Sequence, residues 1–317
     1  MEPMRHTLTL RGEGCHGRRA RPEVVGGVLT LLKPTVRDTV RMGFLRSSRR
    51  AGRPLEELRA AWNIQFLGQT RGPGGATVLH FEAPSFGAAA PRLFRQNVLW
   101  DDAPARHDTA FDLVGDVLQD VANRAVDSER YDTHLLKQLA AFDRALRRGL
   151  DVIEVAGHRI ATDRLPSISR EVTQAARALA LDTPPPKRVR VQGKLDMIRV
   201  SDRVFELILR DTGRVRAVWT QSSIVPLRDY LNRQVLIEGE AVFRPSGGLL
   251  RIDTEAIAPS GEKDAFFSVL PTCGRTALRK GDILQPQTPS TGAGAIFGRW
   301  PGEETEDELL AAIEEIG

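Results

Sequence analysis

From Lys187 to Ala258 apolar and polar positions alternate in five short runs, and the alternation breaks once. KRVRVQGKLDMIRV, RVFELILR and RVRAVWT read as three strands. IVPLRDYLNR interrupts them with a helical period, and QVLIEGEAVFR and LLRIDTEAIA return to alternation. Val189, Val191 and Gly193 recur 46 positions later as Val235, Ile237 and Gly239, each opening a hairpin. Three strands, a helix and two strands is the order of an OB-type barrel, so residues 187–260 are predicted to be a five-stranded OB-like barrel. Phe205 shares the parity of Leu207 and Leu209, and Trp219 that of Val215 and Ala217, so both aromatics belong to its core.

The pattern before the barrel is mixed. VVGGVLTLLKPTVRDTVRMGFLR has a helical period, with Pro34 starting a second helical piece. PLEELRAAW reads as a short helix. NIQFLGQ and ATVLHFEA alternate as strands around the turn-rich TRGPGG, which predicts a hairpin. APSFGAAAPRLFRQ opens another short helix or loop. Asp108 is placed to cap a helix carrying Phe111, Val114, Leu118 and Val121 on one face. Asp132 is placed to cap a second, carrying Leu135, Leu139, Phe142 and Leu146. Their short connection predicts an antiparallel helical hairpin. DVIEVAG reads as a strand and SISREVTQAARALAL as a helix that stops at Pro184–Pro186, a stiff linker.

The expected protein is therefore α+β. A basic, poorly ordered leader (1–22) precedes a mixed domain (23–182), the barrel, a polar tether (261–294) and a tail (295–317). In the tail, Thr305 and Glu308 form a capping box for an amphipathic helix with Leu309, Leu310, Ile313 and Ile316 on its apolar side. A helix of about three turns is marginal alone and needs a surface to pack on.

Composition and charge refine this picture. Of the 317 residues, 41% are hydrophobic and 27% charged, as in an ordinary globular chain. No apolar run approaches the ~20 residues of a bilayer span. Two cysteines, Cys15 and Cys273, are too few for a disulfide framework and predict a reducing, cytoplasmic setting. The net charge of +4 hides a polarity. Residues 1–50 hold 11 Lys and Arg against 4 acids, whereas residues 301–317 hold 7 acids and no base. Such asymmetry suggests that one end meets anions and the other a basic surface.

The candidate chemistry is sparse. Arg188, Arg190 and Lys194 alternate with core residues on the first barrel strand, and Arg214 and Arg216 do so on the third. They make a candidate basic face for single-stranded nucleic acid, although the aromatic platform such sites use is missing. Asp127, Glu129, Asp132 and His134 form a dense polar cluster, but its spacing is that of no EF-hand and Asp132 already serves as a cap. Asp101, Asp102, His107 and Asp108 pose the same question and receive the same answer. No HExxH, nucleophile elbow, P-loop or dinucleotide fingerprint is present, so no metal and no cofactor are predicted and a non-enzymatic protein is expected, with an enzyme assembled from scattered residues of the N-terminal domain as a third reading. Phe297 and Trp300 stand in a Gly/Pro-rich stretch without a local core, which fits anchors for a protein partner or for the protein's own barrel.

GAGAIFGRWPGEETEDELLAAIEEIG resembles the C-terminal ends of type II antitoxins encoded ahead of PIN-domain ribonuclease toxins. The likeness rests on Phe297-Gly298, Trp300-Pro301-Gly302, the acidic run Glu303–Glu308 and the Leu309/Leu310/Ile313 helix, about 26 residues of the chain. The barrel and residues 50–150 also resemble bacterial proteins of unassigned function. The tail resemblance implies a non-enzymatic regulatory protein whose residues 295–316 thread over the toxin's acidic active site, with Phe297 and Trp300 in apolar pockets. Such antitoxins are usually short and carry a DNA-binding head, whereas here the head is a large two-domain body.

Overall fold

His6, Leu8 and Leu10 alternate with Arg5, Thr7 and Thr9, and the first three are buried, which makes Met4–Arg11 a strand, β1. This corrects the expectation of a poorly ordered leader over 1–22. The computed structural model describes residues 3–15, 17, 19–49, 55–94, 104–159, 165–200, 203–210, 213–221 and 225–273. Contacts divide the chain into two units, Met1–Thr276 and Ala277–Gly317, and the second lies outside the described residues.

In the first unit, β1 is the centre of an antiparallel sheet. The elements that follow it are α1 (Pro22–Leu45), α2 (Glu56–Ala61), β2 (Gln65–Arg71), β3 (Thr77–Ala83) and α3 (Phe86–Ala89). Next come α4 (Ala110–Ala122), α5 (Thr133–Ala141), α6 (Asp143–Leu146), β4 (Val152–Ala156), β5 (Ser167–Ser169) and α7 (Arg170–Asp182). The sheet order is β2-β3-β1-β4-β5. β2 and β3 form the expected hairpin, with a bulge between Phe66 and Gly68.

α1 runs unbroken through Pro34, where two helical pieces were expected. Proline removes one helix hydrogen bond, but Val24, Val28, Leu32, Val36 and Val40 form one buried stripe that holds both halves on the same core. α4 is capped by Thr109 rather than by Asp108. The Asp112 carboxylate accepts from the Thr109 N–H (2.9 Å) and hydroxyl (2.7 Å). Asp132 caps α5 as expected, accepting from the Leu135 N–H at 3.1 Å. The expected hairpin of these two helices does not form. α4 and α5 each pack on α1 and α7 instead, because α7 offers both the apolar surface of Val172, Ala175, Ala176 and Leu179.

The prolines 184–186 lead into the barrel strands β6 (Lys187–Arg199), β7 (Val204–Leu209), β8 (Gly213–Trp219), β9 (Gln234–Phe243) and β10 (Leu249–Pro259), with α8 (Val225–Asp229) between β8 and β9. The barrel closes in the order β10-β8-β7-β6-β9, and only β8 and β10 run parallel. This is the OB connectivity. Phe205 and Trp219 are buried in its core, and Leu227 of α8 joins the same cluster.

The sequence repeat has a structural meaning. Its two copies pair with each other, Val189 opposite Gly239, Val191 opposite Ile237 and Gly193 opposite Val235. Gly193 lies where β6 passes from β9 to β7. A Cβ there would sit 2.9 Å from the Ile208 carbonyl oxygen, and one at Gly239 would sit 2.2 Å from that of Asp253. Both glycines admit the neighbouring backbone where the barrel bends.

Candidate functional site

OB barrels bind oligomeric ligands on the face of their second and third strands and on the loops joining strands one to two and four to five. Here those positions correspond to β7, β8 and the connections from β6 to β7 and from β9 to β10. Parity points Arg214 and Arg216 outward from β8, as expected, and Arg188 and Arg190 outward from β6.

Four of the five expected cations are already paired. Arg188 Nη2 lies 3.3 Å from Glu255 Oε2, and Arg190 Nε lies 2.8 Å from Glu238 Oε1. Arg214 Nη1 lies 3.1 Å from the buried Glu206 carboxylate, and Arg216 donates to Glu129. Lys194 is half-buried and holds no ion pair among the described residues. The face is a lattice of alternating charge rather than a basic groove. Exposed pairs such as Arg188–Glu255 contribute little to stability.

Glu129 is the exception, because it belongs to the segment between α4 and α5. Its carboxylate receives Arg216 from β8 and Arg244 Nη2 from the β9–β10 loop, the latter at 2.7 Å. Arg244 Nη1 also donates to the Asp127 carbonyl at 3.2 Å, and the Ser246 N–H donates to the Val126 carbonyl at 3.2 Å. Residues 126–129 therefore lie along β8 and the β9–β10 loop, where an OB barrel would hold an oligomeric anion. One step further, Arg251 Nη1 of β10 lies 3.5 Å from Asp132 Oδ2. Arg199 Nη2 closes the other side by donating to the Phe44 carbonyl at 3.0 Å.

Asp132 is the most constrained of these groups. Ser48 Oγ donates to it at 2.5 Å and the Ser48 N–H at 3.1 Å, besides the Leu135 cap. Burial by itself would push its carboxyl up. Arg251, the Ser48 hydroxyl and the two amides outweigh that and hold it below the usual carboxylate range.

The polar cluster that raised a metal question is thus divided among other tasks. Glu129 and Asp132 face barrel arginines, and His134 Nε2 lies 3.2 Å from the buried Asp38 of α1. Among the described residues no group of three or more His, Cys, Asp or Glu could hold a metal ion. Asp101 and Asp102 lie outside the described residues, as do Phe297, Trp300, Leu309, Leu310, Ile313 and Ile316. No helix among the described residues is long and apolar enough to cross a membrane.

Arg244, Arg251 and Glu129 were not singled out from the sequence as a docking set. Arg251 carried a signal, since it interrupts the apolar run LLRI of a strand whose neighbours Leu250 and Ile252 are buried. A buried cation needs a carboxylate, and Arg251 donates to Asp253 two residues on at 2.8 and 3.2 Å while its Nη1 faces Asp132. Comparison with known protein families, with characterised proteins and with solved structures returned no match.

Proposed function

We propose that this is a non-enzymatic, partner-binding protein, a two-part body that presents residues 295–316 to another protein. The observation that carries the reading is the contact of residues 126–129 of the same chain with β8 and the β9–β10 loop, part of the barrel's ligand face. A barrel so occupied serves as a scaffold, and three of its arginines, Arg216, Arg244 and Arg251, reach Glu129 and Asp132. That leaves the tail's sequence pattern, two aromatics, an acidic run and the helical spacing of Leu309, Ile313 and Ile316, as the feature suited to recognition.

The finer reading takes the partner to be a co-encoded PIN-type ribonuclease, and it rests on the tail's resemblance to type II antitoxins. Phe297 and Trp300 would fill apolar pockets, and the acids after Pro301 would pair with basic groups of the nuclease.

The test is titration calorimetry of the full chain against the product of the adjacent downstream gene. Truncating a buried interface tryptophan commonly costs about 2 kcal/mol or more, so Trp300→Ala is expected to weaken binding by about 30-fold or more. The melting temperature without partner should hold. An equally tight complex with Trp300→Ala overturns the tail reading. Saturable binding of a mixed-sequence single-stranded oligonucleotide at moderate salt, abolished by replacing Arg188, Arg190 and Lys194 with Ala, would favour the barrel as a nucleic-acid site instead.

A further inference from the structure

A cavity of about 250 Å³ lies along α4 on the side facing α1, lined among others by Thr39, Asp108, Asp116, Arg46, Arg130 and Arg159. None of these lining residues belongs to the barrel. Two buried polar atoms of its wall lack hydrogen-bond partners, Thr39 Oγ1 and Asp108 Oδ1.

Both vacancies run against the local habit. On the same helix α1, Thr30 Oγ1 donates to the Gly26 carbonyl (2.7 Å) and Thr35 Oγ1 to the Leu31 carbonyl (2.8 Å). Thr39 makes no such bond. Asp108 is 4% exposed, and its Oδ2 accepts from the Ala105 N–H at 2.9 Å. Its Oδ1 has Arg159 Nε at 3.3 Å and His107 Nε2 at 3.6 Å, close enough for charge attraction but without hydrogen-bond geometry. A buried acceptor left in this state costs as much as a lost hydrogen bond, so it marks a place for a donor.

The charges of the wall narrow the kind of donor. Asp108 stands just before α4, and Asp112 and Asp116 follow within it at a spacing of four, on one side of the helix. Asp112 is spent on the cap of α4 and on the Arg159 N–H (2.8 Å), and Asp116 takes Arg159 Nη2 at 2.7 Å. Arg46 and Arg130 bring positive charge to the same cavity while keeping contacts within the protein, Arg130 with Asp120 at 3.0 Å. A simple cation would meet three guanidinium groups, and a simple anion would meet Asp108 and Asp116. A molecule carrying both charges offers a counter-charge to each kind of group in the wall. Asp108, just before α4, and Val117 both line the cavity, so the lining runs along roughly the first two turns of the helix.

We propose that this cavity binds a small zwitterion of amino-acid or dipeptide size, its ammonium on Asp108 Oδ1 and its carboxylate on the guanidinium side near Arg46 and Arg130. Thr39 Oγ1 then supplies a neutral hydrogen bond between the two. A volume of about 250 Å³ lies just below the ~300 Å³ at which pockets for drug-sized ligands begin, as suits a small molecule.

The experiment is calorimetry on the full chain with glycylglycine, against glycinamide (ammonium only) and N-acetylglycine (carboxylate only). Glycylglycine should give saturable binding, with each single-charge control at least about tenfold weaker. Asp108→Asn keeps an acceptor for Ala105 and turns a donor into the cavity, so it should weaken binding by about tenfold or more. Thr39→Val preserves shape and removes only the hydroxyl, and should weaken it a few-fold at unchanged melting temperature. Silence from all three probes at millimolar concentration means that the cavity holds water only, and overturns the proposal. Equal binding of N-acetylglycine and glycylglycine overturns it as well, as does an affinity that neither variant lowers.

Discussion

Asp132 gathers three hydrogen-bond donors and one guanidinium onto a single buried carboxylate, and its role can be read from the pH dependence of stability. Its pKa is lowered by folding, so its contribution is present above the unfolded value and is lost as pH falls into the range below about 4. Arg251→Ala removes the guanidinium and leaves the remaining donors to offset burial alone. Removing one partner of a buried pair costs about 3–5 kcal/mol, so a loss of about 3 kcal/mol is expected at pH 7 in urea unfolding. In that variant burial raises the Asp132 pKa, and protonation then relieves the stranded charge. The deficit against wild type should therefore narrow as pH is lowered from about 7 to about 4.5. A deficit constant over that range would show that Arg251 acts by packing or through Asp253, which it meets at 2.8 Å, rather than through Asp132. His6 responds to acid in the same sense. Burial lowers its pKa against the opposing charge of Asp112, so the folded state holds it neutral and loses stability as pH falls below about 6.5.

At the scale of elements, the barrel was legible because its determinants are local. Alternation at period two, a single helical interruption and a repeated Val-x-Val/Ile-x-Gly motif each need only a few consecutive residues. β1 was hidden for the opposite reason. The alternation of His6, Leu8 and Leu10 was there, but the arginines around it suggested a leader, and Arg5 and Arg11 find Glu82 and Glu154 only once the sheet has formed. The packing of α4 and α5 was equally out of reach, because α7, which separates their fates, comes some 30 residues later. Glycine offers a test of what the elements require. Gly239→Ala would place a Cβ 2.2 Å from a backbone oxygen and should destabilise the protein by about 3 kcal/mol or more, since backbone cannot yield as a side chain can. Gly26, exposed in α1 with nothing within 4 Å of a Cβ, is the matching control. Gly26→Ala should raise stability by about 0.5–1 kcal/mol. Thermal melts of the two variants check both signs, and a stable Gly239→Ala would mean that β9 and β10 do not approach as described.

At the scale of the whole molecule, the prolines at 184–186 mark a boundary in the sequence that the contacts do not respect. The sheet-and-helix layer and the barrel fall in one unit, Met1–Thr276. What joins them was illegible beforehand, since Glu129 meets Arg216 and Arg244 across 87 and 115 positions of chain. The candidate basic face was legible as a set of outward-pointing residues, but their partners were not. The joint is apolar as well as ionic, because Leu250 of β10 belongs to the main core and Val242 of β9 packs against it. A joint of this kind predicts that the unit unfolds as one. Scanning calorimetry of the full chain should give, for this unit, a single transition whose calorimetric and van't Hoff enthalpies agree. Breaking Glu129 and Arg251 together, in Glu129→Ala/Arg251→Ala, removes the three arginine contacts to residues 129 and 132 while leaving both cores intact. The transition should then broaden or divide, with the barrel and the helical layer melting at separate temperatures. Two transitions in the wild type would show that the contacts of Glu129 and Asp132 are incidental, and the barrel would again be free to take a ligand of its own.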